Sequence, residues 1–197
     1  YKWYSGSAAP ACFLPASGLV PSLLTSGLSY QLQNYTGFNS MSIASNSFTG
    51  SVIPTTGTVS VTTPASYGQL KVLYETVQNT AGPTITATIT FTDATTQVIS
   101  GITFVNWFTN TGTEFNNISR AQNAAPGVSN GCGTGPYLFE MTLNINPANY
   151  SKQVQSVSFG FSTASGTSAN TVNYLHVLAL GGISPCVFPA DQPTVLN

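Results

Sequence analysis

The 197-residue sequence predicts an all-β chain, an antiparallel β-sandwich of jelly-roll-like layout. Three observations lead there. Apolar and polar residues alternate with a period of two in about eight or nine short runs. No run repeats with the period of a helix. Clusters of Gly, Pro, Asn, Asp and Ser separate the runs, as turns require.

Residues 1–16 read as a lead-in: "YKWYSG" opens abruptly, as a segment of something longer would, and Pro10, Pro15 and Pro21 break up the pairing ahead of residue 27. A single sandwich domain is expected over 17–183. Within it, "GLSYQLQNY" (27–35) and "NSMSIAS" (39–45) are the first strands, and "TVSVTT" (58–63) sets Val59 and Val61 on one face. In "QLKVLYETV" (69–77) Leu70, Val72 and Tyr74 face one way, while Lys71, Leu73 and Glu75 face the other. Apolar residues on both faces place this strand near a sheet centre. The stretch 84–92 alternates Thr with Ile, Ala and Phe. Asp93 to Thr96 turns the chain, and Val98 to Phe104 returns it. A loop over 109–136, far beyond the usual connection length, marks a functional or mobile segment. "YLFEMTLNI" (137–145), "QVQSVSFGFS" (153–162) and "VNYLHVLAL" (172–180) complete the set, and 184–197 reads as an exit linker toward a following module.

Composition narrows the function. Only 5% of residues are charged and the net charge is −1, so the polar surface is built from hydroxyls, amides and backbone. Lys2, Lys71, Arg120 and Lys152 cannot form a phosphate-tracking stripe, which argues against nucleic acid. No apolar run approaches the roughly 20 residues of a spanning helix, so no membrane insertion is expected.

Reactive residues are few. His176 is the single histidine, and any Ser-His-Asp triad would have to run through it. A half-buried strand histidine satisfied by a neighbour is the simpler reading. Glu75 and Glu140 could meet as a carboxylate pair or bond Lys71, Lys152 or Arg120. No catalytic residue is assigned, and the chain is not expected to be an enzyme. No cofactor is expected; calcium is possible through amide and backbone oxygens, but no clustered acidic loop supports it. Cys12, Cys132 and Cys186 lack metal-site spacing. They fit one disulfide with an odd thiol, a link from Cys186 to a neighbouring domain, or three small buried hydrophobes. Asn34, Asn117 and Asn149 each open an Asn-x-Ser/Thr triplet, a possible N-glycosylation site.

What remains is an aromatic, amide-rich set around the long loop: Trp107, Phe108, Asn110, Asn116 and Arg120. Rings stack on the apolar face of a sugar while amides bond its hydroxyls. Aromatics at strand ends also seal sandwich cores, and Trp107 suits that second role.

The order "LKVLYETV", "TATITFTDATTQVISGITFVNWF", an Arg-containing loop, "YLFEMTLNINPANYSKQVQSVSF" and "LHVLALGG" resembles a β-sandwich domain of large secreted and cell-surface, adhesin-like proteins of the Bacteroidetes. In those proteins such domains sit between other β-modules ahead of a type IX secretion signal. The chain departs from that pattern with Asn106 where the family favours Asp, and with Ser119-Arg120-Ala121 in place of Gly-Arg-Val. The resemblance implies a secreted, cell-surface location and neighbouring β-modules or identical subunits as partners. The expected function is non-enzymatic binding of a glycan or surface ligand within an adhesin. The alternatives are a structural subunit or spacer of an extracellular filament or stalk, and a carbohydrate-binding accessory domain of a polysaccharide hydrolase.

Overall fold

A computed structural model describes residues 14–15, 17–35, 39–77, 83–109, 137–168 and 170–185, with the backbone alone described for 113–115, 121–122 and 125–129. The strands are β1 (Leu19–Pro21), β2 (Ser29–Gln31), β3 (Met41–Ala44), β4 (Thr56–Ser66), β5 (Gln69–Val77), β6 (Ile85–Phe91), β7 (Thr96–Ile102), β8 (Thr113–Phe115), β9 (Ala121–Gln122), β10 (Ala125–Ser129), β11 (Leu138–Asn144), β12 (Gln153–Phe161) and β13 (Tyr174–Ile183). A 3-10 turn at Pro147–Asn149 is capped by the Asn146 side chain.

Two antiparallel sheets face each other, in the orders β3-β13-β5-β11-β8 and β4-β12-β6-β7. Strands early and late in the chain interleave in both sheets, and the chain passes from one sheet to the other between β3, β4, β5 and β6. That winding is the jelly-roll form of the sandwich. The expected fold class is therefore observed.

Alternation decides which side chains meet between the sheets. Ile85, Ala87, Ile89 and Phe91 of β6 are fully buried, while the threonines between them reach the surface. They pack against Leu70, Val72, Tyr74, Phe139, Leu143, Val157, Phe159 and Leu175. Each such side chain removed from water contributes about 1.5–3 kcal/mol before entropy is charged against it.

A second core lies on the outer face of the five-stranded sheet. Leu73, Leu138 and Leu178 point away from the main core and are covered by Leu14, Val20, Tyr30 and Leu32, which belong to or flank the β1–β2 hairpin. This accounts for the two-faced pattern of β5, which is the middle strand of its sheet. The hairpin is also held by polar bonds. Glu140 on β11 accepts hydrogen bonds from Ser22 (2.9 Å), Thr25 (2.5 Å) and Tyr30 (2.7 Å), and lies 3.5 Å from Lys71. Burial raises its pKa. The three hydroxyl donors and the Lys71 charge outweigh that and leave it below the usual glutamate value.

The structure corrects several expectations. The stretch 109–136 is not simply loop. It carries β8, which extends the first sheet beside β11, and the separate β9–β10 pair. A strand at Leu19–Pro21 was not expected. Pro21 sits at its end, where a missing N–H is tolerated. The return arm of the hairpin ends at Ile102, so Phe104 joins the main core from outside any strand, edge-on to Phe161.

Candidate functional site

The short strand β3 opens one side of the sandwich. It pairs with β13 only from Tyr174↔Ala44 to Val177↔Met41. From Leu178 to Ile183, β13 is paired with β5 on one edge and with no other strand among the described residues. On the same side, β4 is the edge of the other sheet. Between these two edges lies a cleft of about 490 Å³, within the range of small-ligand sites.

Sequence explains its shape. Gly181 and Gly182 fall between Leu180 and Ile183 near the end of β13. A side chain at Gly181 would run into Leu28 of the covering hairpin, 2.9 Å from the added carbon, and one at Gly182 would strike the ring of Tyr67. The glycine pair thus lets the hairpin and Tyr67 close onto β13 and shape the cleft wall.

The lining has a plain chemistry. Met41, Val59, Val61, Leu70, Val177 and Leu180 supply apolar surface from the sandwich interior. Gln31, Gln33, Asn39, Ser40, Thr58, Ser60 and Thr62 supply amides and hydroxyls, and Tyr67 adds a ring. Among the described residues no charged one lines it. The uncovered edge of β13 adds backbone donors and acceptors. Such a site suits an uncharged ligand rich in hydroxyls with some apolar faces; an ion would lose its hydration with nothing of opposite charge in return.

Of the residues expected to bind, the structure describes Trp107 and Phe108. Trp107 is buried, with 5% of its surface exposed, too little to stack a sugar ring. Its backbone N–H donates to Thr76 O (3.0 Å) and its carbonyl accepts from Tyr137 N–H (2.7 Å), which fixes the segment against the end of β5. Its burial removes the indole from the set of candidate contacts. Phe108 is 48% exposed and packs edge-on to the indole. Asn106 forms a turn: its Oδ1 accepts from Phe108 N–H at 3.0 Å. Asn110, Asn116, Asn117 and Arg120 lie outside the described residues, as do Cys12, Cys132 and Cys186. Asn34 is exposed, and the Asn149 amide donates to Gln97 Oε1 at 3.1 Å.

A second polar feature crosses the outer face of the five-stranded sheet. Ser42, His176 and Glu75 are cross-strand neighbours on β3, β13 and β5. The Ser42 hydroxyl bonds His176 Nδ1 at 2.7 Å, the Tyr174 ring stacks on the imidazole, and Glu75 Oε1 lies 3.9 Å from Nε2. That last distance allows an ion pair but not a hydrogen bond. Burial acts against both charges. It pushes Glu75 up to about 8 and His176 down to about 4, so at neutral pH the acid is protonated and the imidazole neutral. Glu75 Oε2 is buried with no hydrogen-bond partner among the described residues. Among the described residues no group of three His, Cys, Asp or Glu could hold a metal. The row has the residue types of a hydrolase triad in the wrong state. An imidazole held that low is a poor base, and a protonated acid does not stabilise an imidazolium.

Compared with known proteins, the chain matches no family model, no curated protein and no solved structure. A jelly roll hosts many functions, so the reading rests on the sites themselves.

The cleft was missed in the sequence because its members come from distant segments. The one local signal was "YQLQ" (30–33), where Tyr30 and Leu32 turn inward and put Gln31 and Gln33 outward together.

Proposed function

We propose that this domain is a non-enzymatic module of a secreted, cell-surface adhesin and that it binds a neutral glycan in the cleft between β4 and β13. The observation that carries the reading is the uncharged lining of that cleft, in which amides and hydroxyls rim an apolar floor. Sugars present this combination themselves: hydroxyls around the ring edge and C–H surface on its faces. Backbone groups on the free edge of β13 add directional bonds that fix orientation without charge. The binding surface is moved by this reading from the 106–120 segment to the open side of the sandwich. As the accessory domain of a polysaccharide hydrolase, the module would use the same cleft.

One observation favours a second reading. An unpaired strand edge beside an apolar floor also accepts an extended peptide strand, so the domain would serve as a subunit that joins copies of itself or neighbouring modules.

A glycan array, with size-exclusion chromatography and light scattering on the same sample, separates the two. The glycan reading predicts a monomer retained saturably by one class of neutral sugar. Assembly that grows with concentration, without glycan retention, supports the subunit reading. Preference for sulfated or uronic-acid glycans contradicts the cleft as the site, since none of the described residues lining it is a cation to meet them.

A further inference from the structure

We infer that the ligand is an internal stretch of a linear neutral polysaccharide, bound along its length and not by its terminal sugar. This rests on the glycan reading above and adds the class of glycan. A second concavity of about 330 Å³, lined by residues including Ser17, Gly18, Asn34 and Tyr35, adjoins the cleft. Gln31 and Gln33 line both. The two spaces therefore adjoin along Gln31, the last residue of β2, and Gln33 just beyond it. Among the described residues neither is lined by a charged one.

The two glutamines differ in how they are held. Gln31 Nε2 donates to Ser17 O and Leu32 O, each at 3.2 Å. Gly18, at φ +70°, leaves room for it, since a side-chain carbon there would come within 2.8 Å of that nitrogen. Gln31 is thus a fixed part of the wall. Gln33 is exposed and makes no side-chain hydrogen bond among the described residues, so its whole amide is available where the two spaces join. A terminal sugar would need a closed end that stops the chain. Here the cleft continues into the next concavity, and a ligand of repeating units fills both with the same chemistry.

The test is isothermal titration of the purified domain with a length series, from monosaccharide to hexasaccharide, of whichever neutral polymer is retained. Affinity is expected to rise at least about tenfold along the series. Gln33→Ala should remove most of that rise, leaving long and short oligomers bound alike. Asn34→Ala should weaken only the longer ones. Equal affinity for monosaccharide and hexasaccharide overturns the inference and leaves the glycan reading standing. Binding that needs a free chain end, lost when the non-reducing end is blocked, also overturns it. Failure of every neutral sugar to bind overturns the glycan reading itself and this inference with it.

Discussion

At the scale of residues, Glu75 and His176 make stability depend on pH in a definite direction. The folded Glu75 keeps its proton up to about pH 8, whereas the unfolded chain releases it near 4.5, so rising pH costs stability across that window. The folded His176 stays neutral down to about pH 4, whereas the unfolded imidazole gains a proton near 6.5, so rising pH adds stability between those values. The two effects cancel where the windows overlap. Stability should rise to about pH 4.5, stay level to about 6.5, and fall between about 6.5 and 8 by on the order of 1–2 kcal/mol. Urea midpoints measured across this range check the profile. Glu75→Gln should remove the fall on the alkaline side, and a stability that holds or rises there would contradict the assignment. Trp107 gives a second residue-scale test. Trp107→Ala is expected to cost about 3–5 kcal/mol, as for other buried aromatics, while leaving retention of the glycan unchanged in the fraction that folds.

Elements carry the next predictions. The turn between β6 and β7 places Ala94 at φ 65°, a left-handed conformation that an alanine adopts at a cost of about 1–2 kcal/mol. Asp93 supports the turn by accepting from Thr95 N–H at 3.0 Å and from the Thr95 hydroxyl at 2.6 Å. Ala94→Gly should therefore raise stability by about 0.5–1 kcal/mol once the greater freedom of glycine in the unfolded chain is subtracted. A thermal melt reads it. The β1–β2 hairpin depends on Glu140. Glu140→Gln weakens the acceptor for three hydroxyls and leaves Lys71 bonded to the Thr142 hydroxyl but without its ion pair, with an expected loss of about 1–3 kcal/mol. Amide exchange should quicken in 19–31 before it does in β6 or β12, because the hairpin lies outside the main core. Uniform quickening would mean the hairpin and sandwich open together.

The elements also show what a sequence can disclose. Period-two runs located β5, β6, β11, β12 and much of β13, because one face of each is buried against a sheet and the pattern is strong. The turn at Asp93 was legible from its own side-chain chemistry. Strands β1 and β8 were not, since three residues carry too little alternation to register and a proline ends the first. The Ser42–His176–Glu75 row could not be read at all: parity put Glu75 and His176 on definite faces, but only the register of β13 against β3 and β5 makes them neighbours. The cleft failed to appear for a similar reason. It is a consequence of β3 beginning only at Met41, opposite Val177, and a late start leaves no motif.

On the scale of the whole molecule, low charge and an open side go together. A sandwich with 5% charged residues presents surfaces that attract little by long-range fields. Recognition then falls to short-range contacts, which need a concave site to gather enough of them. The side left uncovered by β3 provides that site, while the β1–β2 hairpin covers the outer face of the same sheet and keeps Leu73, Leu138 and Leu178 dry. The same opening is what a neighbouring strand would exploit, so under the proposed readings glycan binding and assembly would compete for one surface.

Affinity electrophoresis through gels containing single polysaccharides, run with the wild-type domain beside Ser40→Trp and Asn39→Ala, tests the central claim most directly. The account predicts that one neutral polysaccharide retards the wild type, that the tryptophan filling the cleft abolishes the retardation, and that loss of the Asn39 amide weakens it. Retardation that survives Ser40→Trp, or that appears only with charged polysaccharides, would contradict the cleft as the binding site.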